Sequence, residues 1–428
     1  MSSIQATTGP TVVCVGSAPS RLTRGFCLHL GAMLSPPVQH HHLNRRQWLA
    51  SGLGALLAGC QSTEPHTPGT KSASHNSRAP RVRLIGHTRI TAGQHHRRTL
   101  VGGLSGLDYD PAGRRWLSLS DDRSDLQPAR FYSFELPLSR HAIGRPTLNG
   151  MTSLTRADGS PYPSQATDPQ QFVDPEALRW RPDTQTVLWT SEGHARYRRP
   201  PAIHESTASG QWLRAFTLPE HFDEFGPTRG PHYNQTFEGL ALSPDGQQLW
   251  ASMEGPLKQD DPRPRPGEAQ GSCRITQFDL ALGKPLRQFA YQPDPVPHGS
   301  LWPGGYAETG ISEILCLDAH QLLVLERTYI LGWGHRIRLY RCDHRQGTNT
   351  LTLPTLSPQN HAPTPKTLVL DFADLDLPHL DNLEGMAWGP TLPGQPPGTR
   401  TLVLVSDDNF NPFQVTQLIA LELQENLT

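Results

Sequence analysis

The stretch "NQTFEGLALSPDGQQLWASMEGPL", residues 234–257, contains two apolar runs joined by the short turn "SPDG". The proline, aspartate and glycine of this turn supply a fixed φ, a side-chain-to-backbone hydrogen bond and a position that tolerates positive φ. The stretch therefore predicts an antiparallel β-hairpin. In such a hairpin the start of the first strand lies beside the end of the second. Glu238 and Glu254 are thus expected to meet at one edge of a sheet.

Four further stretches repeat this order of apolar run, turn, apolar run and acid. They begin at Leu104, Asp174, Gly310 and Asn382. A β unit that recurs at intervals of roughly 70 residues indicates a repeat array. Further strand-like runs lie between the hairpins, so each repeat has three or four strands, as in the blade of a β-propeller. The opening polar positions of the repeats are Ser105, Glu176, Glu238, Glu313 and Glu384.

The composition agrees with this architecture. The chain has 41 Pro and 38 Gly among 428 residues, and 36% of its residues are apolar, which suffices for a sizeable core. These values are typical of a loop-rich all-β protein. We expect an all-β fold, a β-propeller of five four-stranded blades spanning residues 81–428, with six blades as the alternative. Pairing of the N-terminal strand with the last blade would close the propeller and remove its exposed edges.

The first part of the chain predicts export. In "NRRQWLASGLGALLAGC", residues 44–60, two arginines precede an uncharged run that is too short to span a bilayer. The segment resembles a bacterial lipoprotein signal in which Cys60 carries the lipid, and both twin-arginine and ordinary export remain open. We expect a signal region over residues 1–60, with Met33 as a candidate true start, and a disordered tether over residues 61–80. The expected location is a membrane facing the periplasm or the cell exterior.

Charge and cysteine content limit the partners. The formal net charge of −1 gives no overall field that would attract nucleic acid. We therefore expect no nucleic-acid partner, membrane contact through the lipid anchor only, and a monomer. Cys273, Cys316 and Cys342 lie in the predicted propeller. Their odd number and their spacing favour buried thiols over a zinc site, and one disulfide of undetermined pairing is compatible with export.

Acidic residues recur at the strand ends and are predicted to surround one mouth of the propeller. Clustered negative charge requires a positive partner, and carboxylate oxygens suit Ca²⁺. Arg123, His194 and Arg327 lie beside the acids and could neutralise them or bind an anionic group of a substrate. For any single carboxylate the alternative is a structural role between blades or at a turn. The predicted ring consists of Asp121, Asp122, Glu176, Glu192, Glu238, Glu254, Glu313, Glu326, Glu384, Asp407 and Asp408.

The motifs "EGLALSPDGQQLW", "SEI…LLVLER" and "NLEGMAWG…LVLVSDDN" closely resemble the phytase-like family, also called esterase-like activity of phytase, from about Leu84 to Glu422. The resemblance implies an exported β-propeller that hydrolyses phosphate esters or other esters. "VDPEALRW" is similar to the "DDPA" motif of calcium-dependent propeller phytases, which implies Asp174 and Glu176 as metal ligands. Val173 replaces the first aspartate of that motif, and lysines near the mouth are few, which disfavours a substrate as charged as phytate.

No G-x-S-x-G, H-E-x-x-H or P-loop motif is present, so a serine-triad esterase has little support. The sequence predicts a Ca²⁺-dependent hydrolase of a small-molecule ester or phosphoester. The alternatives are a non-catalytic envelope lipoprotein that binds a glycan, peptide or protein, and a calcium-dependent lactonase. The predicted catalytic residues are Glu238, Arg327, His194 and Arg123, and the predicted metal ligands are Asp121, Asp174, Glu176, Glu192, Glu254, Glu313, Glu326, Glu384 and Asp407.

Overall fold

The computed structural model describes residues 81–261 and 265–425. The predicted signal region, the Cys60 lipidation site and the tether lie outside these residues. Within the described part of the chain, no helix is long and apolar enough to cross a membrane. The strands are β1 Val82–Arg89, β2 His95–His96, β3 Thr99–Leu100, β4 Leu104–Asp110, β5 Arg115–Ser120, β6 Arg130–Glu135, β7 Thr147–Ser153, β8 Pro175–Arg181, β9 Thr186–Ser191, β10 Ala202–Thr207, β11 Trp212–Ala215, β12 Phe237–Leu242, β13 Gln248–Met253, β14 Cys273–Asp279, β15 Lys284–Tyr291, β16 Ala307–Cys316, β17 Gln321–Ile330, β18 Gly334–Asp343, β19 Lys366–Asp371, β20 Leu383–Trp388, β21 Thr399–Ser406 and β22 Gln417–Gln424.

The strands form five four-stranded antiparallel sheets, which are the blades of a propeller. Blade I is β4–β7, blade II is β8–β11, blade III is β12–β15 and blade IV is β16–β19. Blade V combines β20, β21 and β22 with β1, in which Val82 lies opposite Leu423 and Arg89 opposite Gln417. The prediction of a five-bladed all-β propeller is confirmed.

The first strand of each blade is the innermost one, and β4, β8, β12, β16 and β20 contact one another in turn around the centre. Each of these strands contains a β-bulge, which lies at the start of β4, β8, β12 and β20 and in the middle of β16. In β12 the bulge lies between Phe237 and Gly239. A Cβ atom on Gly239 would lie only 2.9 Å from the backbone nitrogen of Ile314 in the next blade. Glycine at this position therefore allows the inner strands to approach closely.

Apolar residues fill the space between the blades. One continuous cluster joins Leu188 of blade II, Leu240 of blade III and Val324 of blade IV. All three cysteines of the described residues are buried free thiols, and none is in a disulfide. Burial raises the pKa of Cys316 to about 12, which keeps its thiol protonated and unreactive at neutral pH.

Candidate functional site

Two sets of equivalent positions line the mouth of the propeller. In β12, Phe237 pairs with Met253 and Gly239 with Ser252, so Glu238 occupies the bulge and Glu254 follows β13. We call these two sets the bulge tier and the strand-end tier. The same register in the other blades assigns Ser105, Glu176, Ser312 and Glu384 to the bulge tier, and Asp121, Glu192, Arg327 and Asp407 to the strand-end tier.

Glu313 was expected at the mouth, but its side chain lies elsewhere. It is one residue past the bulge of β16, and because side chains alternate along a strand, an offset of one residue turns the side chain to the other face. Its carboxylate lies 2.8 Å from Nη2 of Arg179 and accepts a 3.0 Å hydrogen bond from the Leu240 amide. Burial raises the pKa of Glu313 to about 7 although Arg179 and the backbone bonds oppose this.

Arg179 bridges several inner strands. Its Nη1 donates to the Leu107 carbonyl at 2.7 Å, and its Nη2 donates to the Ile314 carbonyl at 2.9 Å. Arg179 is three residues beyond Glu176 in β8, so its Cα atom lies at most about 10 Å further along the strand. Arg179 and Glu313 thus connect the inner strands beneath the mouth.

Glu326 and Asp122 were also expected at the mouth, and both bind other partners. Glu326 lies one residue before the strand-end tier. Its Oε1 accepts a 2.6 Å hydrogen bond from the Tyr291 hydroxyl and lies 2.5 Å from Nζ of Lys366. Its partners therefore lie in the outer strands of blades III and IV. Oδ2 of Asp122 lies 2.8 Å from Nη1 of Arg130. These predicted positions were wrong, because the register of blade IV and the second acid of "SDDR" direct the side chains away from the mouth.

Two triads of carboxylates come together at the mouth. The ligand atoms of Asp174, Glu176 and Glu192 lie within 4.8 Å of one another, and so do those of Glu192, Glu238 and Glu254. None of these five residues is more than 8% exposed. Glu192 belongs to both triads: the Thr236 amide donates to its Oε1 at 2.8 Å, whereas its buried Oε2 has no hydrogen-bond partner among the described residues.

The electrostatics of the triads favour a bound cation. Burial raises the pKa of Glu192 to about 8, and the charges of Asp174 and Glu254 add to this effect. Burial also raises the pKa values of Glu176 and Glu238 well above the usual range, with Glu238 and Glu254 as the respective largest like charges. A cation would remove this penalty on the ionised carboxylates. The all-oxygen donor set, with its unpartnered Oε2 atom, therefore fits a hard divalent cation such as Ca²⁺.

Arg123 lies at the edge of the first triad. Its Nε donates to Oδ1 of Asp174 at 2.5 Å and its Nη2 donates to Oδ1 of Asn234 at 2.7 Å. The buried Nη1 has no hydrogen-bond partner among the described residues. Burial alone would lower the pKa of Arg123, but the charges of Asp174 and Tyr233 raise it above its ordinary value. Arg123 therefore stays charged and retains a donor at the mouth.

Arg327 lies at the edge of the second triad and is already bound to acids. Its Nη2 donates to Oε1 of Glu254 at 2.6 Å, and its Nη1 donates to Oε1 of Glu384 at 2.5 Å. The Asn382 side chain accepts a further hydrogen bond from Nη1. These contacts connect blades III, IV and V. Of the two roles that the sequence left open for Arg327, they agree with neutralisation of the acids rather than with binding of a substrate anion.

His194 is enclosed by aromatic rings. Its ring centroid lies 4.7 Å from those of Tyr197 and Tyr233, and 5.7 Å from that of Phe172. Burial, followed by the charge of Arg123, lowers the pKa of His194 to about 4. The imidazole is therefore neutral at pH 7, where it can donate or accept a hydrogen bond but cannot supply positive charge.

Blades V and I contribute further acids to the mouth. Burial raises the pKa of Asp407 well above its usual range, and Asp121 is the next cause. Asp408 is occupied by the fold, since its Oδ1 accepts from the Gly103 amide at 2.8 Å and its Oδ2 from the Thr416 hydroxyl at 3.0 Å. Among the described residues these acids form no third triad.

Sequence reasoning missed Ser312, Arg179, Asn234 and Asn382. For Ser312 a signal exists, because the inner-strand segments "LSGL", "PEAL", "FEGL", "ISEI" and "LEGM" can be aligned on their apolar residues. In that alignment Ser312, not Glu313, is equivalent in position to Glu238. The other three carry no motif. Their roles depend on contacts between blades, such as the bond from Arg123 to Asn234.

The protein is thus a five-bladed propeller with buried carboxylates at one mouth. The family profile described as "Phytase-like: Esterase-like activity of phytase" matches residues 99–410. The chain belongs to this family. Membership suggests a hydrolase-type propeller, and the two acidic triads are compatible with metal dependence. No curated protein matches the chain.

Several solved structures show a distant likeness. A Dos1 propeller has 8% identity and a TM-score of 0.32, with 75% of this chain and 68% of that chain covered. Hydrazine synthase of Kuenenia stuttgartiensis has 13% identity and a TM-score of 0.33, with 74% and 80% covered. The catalytic domain of the GH62 α-L-arabinofuranosidase of Coprinopsis cinerea has 9% identity and a TM-score of 0.39, with 79% and 95% covered. Likeness at this level supports no functional conclusion.

Proposed function

We propose that this protein is a divalent-cation-dependent hydrolase of esters or phosphoesters, with its reaction centre at the carboxylate-lined mouth. The observation that carries the proposal is the pair of buried triads that share Glu192. Arg123 lies directly beside them. Family membership supports the reaction class. The acids supply the cation site, and Arg123 supplies a positively charged donor.

The residues that would hold the cation are Glu192, as the central ligand, and its triad partners Asp174, Glu176 and Glu254. When bound there, Ca²⁺ would polarise the ester or phosphoryl oxygen and make nearby water more acidic. The carboxylate donors favour a hard cation over one that prefers nitrogen or sulfur ligands. Asp174 is held in place by Arg123, and Glu254 is held in place by Arg327.

Other side chains would bind and orient the substrate. Arg123 would donate from Nη1 to the oxygen on which negative charge develops, because its Nε and Nη2 already have partners. His194, neutral and fixed between aromatic rings, would orient the substrate through a hydrogen bond. We assign Glu238 to accept the proton of the attacking water, because the bulge of β12 places it in the second triad beside Glu192 and a cation bound there would keep its carboxylate ionised.

The proposal is tested by assaying the purified protein on p-nitrophenyl phosphate, p-nitrophenyl acetate and a simple lactone, in CaCl₂ and in EGTA. We expect hydrolysis of an ester in CaCl₂ and its loss in EGTA. Glu192→Gln is expected to lower turnover about 100-fold or more. The control Glu135→Gln changes an exposed glutamate at the end of β6 and leaves turnover unchanged.

Each of the other possible results would contradict the proposal and indicate a specific alternative function. Turnover that persists in EGTA and in Glu192→Gln would indicate a hydrolase that needs no cation. Turnover of the lactone alone would indicate a lactonase. No turnover of any substrate, with Ca²⁺ bound, would indicate a binding protein that uses the same mouth without catalysis.

A further inference from the structure

Arg327 is the basic member of the strand-end tier. In blade IV, Ile311 pairs with Glu326, as Phe237 pairs with Met253 in blade III, so Arg327 is equivalent in position to Glu254. The same register places an acid at this position in each of the other four blades: Asp121, Glu192, Glu254 and Asp407.

The guanidinium of Arg327 in blade IV lies between an acid of blade III and an acid of blade V. Its nitrogens are 2.6 Å from Oε1 of Glu254 and 2.5 Å from Oε1 of Glu384. Only 2% of Arg327 is exposed. A buried and fixed positive charge at this distance from two carboxylates occupies the space and supplies the charge that a bound cation would otherwise provide.

The acids that remain lie on the side of blades II and III. The two triads share Glu192, and each has one outer member bound to an arginine: Asp174 to Arg123 and Glu254 to Arg327. Occupation of both triads at once would require Glu192 to serve two ions, each beside an arginine, and the like charges would repel one another. Charge repulsion therefore favours a single ion next to Glu192.

We propose that Arg327 is a built-in cation that takes the place of a second divalent ion, so that the mouth binds a single divalent cation at blades II and III. This inference rests on the proposed function, since it assumes that the triads bind a cation. It adds that the side of the mouth at blades III, IV and V is neutralised by the chain itself. Removal of the ion then leaves the propeller folded, and the ion binds reversibly to a formed site.

The test is a calorimetric titration of the chelator-treated protein with CaCl₂, with native mass spectrometry as a second count of bound ions. The wild-type protein is expected to bind one Ca²⁺ per chain. Arg327→Gln removes the positive charge beside Glu254 and Glu384 and is expected to bind two. Arg327→Lys keeps the charge and is expected to bind one. The control Arg336→Gln removes an exposed arginine of the same blade, which pairs with Asp371, and is expected to bind one.

The outcomes separate this inference from the proposed function. Two or more ions on the wild-type protein, or one ion on folded Arg327→Gln, would overturn the inference alone. No ion on the wild-type protein would overturn the proposed function and the inference with it. Folding of Arg327→Gln in CaCl₂ but not in EGTA would support the inference, because an ion would then replace the lost charge. If this variant folds in neither buffer, the wild-type count decides, with one ion in support and two or more against.

Discussion

Arg123 of blade I donates a 2.5 Å hydrogen bond from Nε to Oδ1 of Asp174, the residue that precedes the inner strand of blade II. The bond fixes one member of the first triad, and Nη1 of the guanidinium has no hydrogen-bond partner among the described residues. Lysine would keep the charge but could not form these bonds in several fixed directions. We expect Arg123→Lys to lower kcat about 100- to 1000-fold, as measured by steady-state kinetics on the best ester substrate.

The matched control for this change is Arg115→Lys, since Arg115 of the same blade forms a more exposed 3.1 Å pair with Asp110. The control is expected to keep the wild-type kcat. A folded Arg123→Lys protein with wild-type kcat would show that Arg123 only supports Asp174.

The buried pair of Arg179 and Glu313 predicts a stability effect. Glu313→Leu leaves Arg179 buried without its carboxylate partner, which costs about 3–5 kcal/mol. The double variant Arg179→Met with Glu313→Leu removes both charges and is expected to recover much of the lost stability. Urea unfolding of the two single variants and the double variant measures the coupling. A free energy of unfolding for Glu313→Leu within about 1 kcal/mol of the wild type would contradict the assignment of this pair as a support of the channel.

The triads predict how stability depends on pH. Folded Glu192 keeps its proton up to a pKa of about 8, whereas an unfolded glutamate loses it at about 4.3. Between these values the folded state binds more protons, so the free energy of unfolding falls as pH rises. Acids whose pKa values are lowered, such as Glu422 and Asp343 at about 2, are ionised in both states above pH 6 and do not change this sign. Histidines whose folded pKa is lowered by burial, such as His194 and His204 at about 4, oppose it around pH 6, because an unfolded imidazole binds a proton up to about pH 6.5.

In EGTA we therefore expect the melting temperature to fall between pH 7 and pH 8, where the histidines are largely neutral in both states. In CaCl₂ the decline is expected to be smaller, because the ion binds the deprotonated carboxylates and stabilises the folded state. Scanning calorimetry in both buffers makes the comparison. A melting temperature that rises with pH in EGTA would mean that the acids are already neutralised in the folded chain.

Close approach of the inner strands predicts that Gly239 cannot be enlarged without cost. A Cβ atom there would lie 2.5 Å from Oγ of Ser252 and 2.9 Å from the backbone nitrogen of Ile314. Gly239→Ala is expected to destabilise the fold by about 1–3 kcal/mol, as measured by urea unfolding. The control is Gly299→Ala, because the nearest atom to its Cβ would be 3.8 Å away. Equal stability of the two variants would contradict the tight contact between blades III and IV.

The fold could be predicted because each repeat carries the same local information. Apolar runs and turns such as "SPDG" determine hairpins on their own, and their regular recurrence gives the number of blades. The register of blade IV could not be predicted in the same way. Its first two strands have ten residues each, against six in β12 and β13, and "ISEI" offers two adjacent polar residues for one bulge.

The site was less predictable than the fold. A strand pattern indicates which residues reach the mouth, but it does not indicate which side chains pair across blades. Arg327 and Glu384 are 57 residues apart and meet only because blades IV and V are neighbours. The neutral state of His194 likewise depends on rings from three separate segments: Phe172, Tyr197 and Tyr233.

We expect the two triads at the mouth to bind a divalent cation through Glu192. The most direct test is X-ray diffraction, with anomalous scattering to identify the ion, from crystals of the protein soaked in millimolar CaCl₂. One Ca²⁺ is expected, bound by Glu192 together with carboxylates of the triads, and it is expected to be absent from crystals of Glu192→Gln. A mouth that holds no ion in the wild-type crystals, while other carboxylates of the chain bind Ca²⁺, would contradict it.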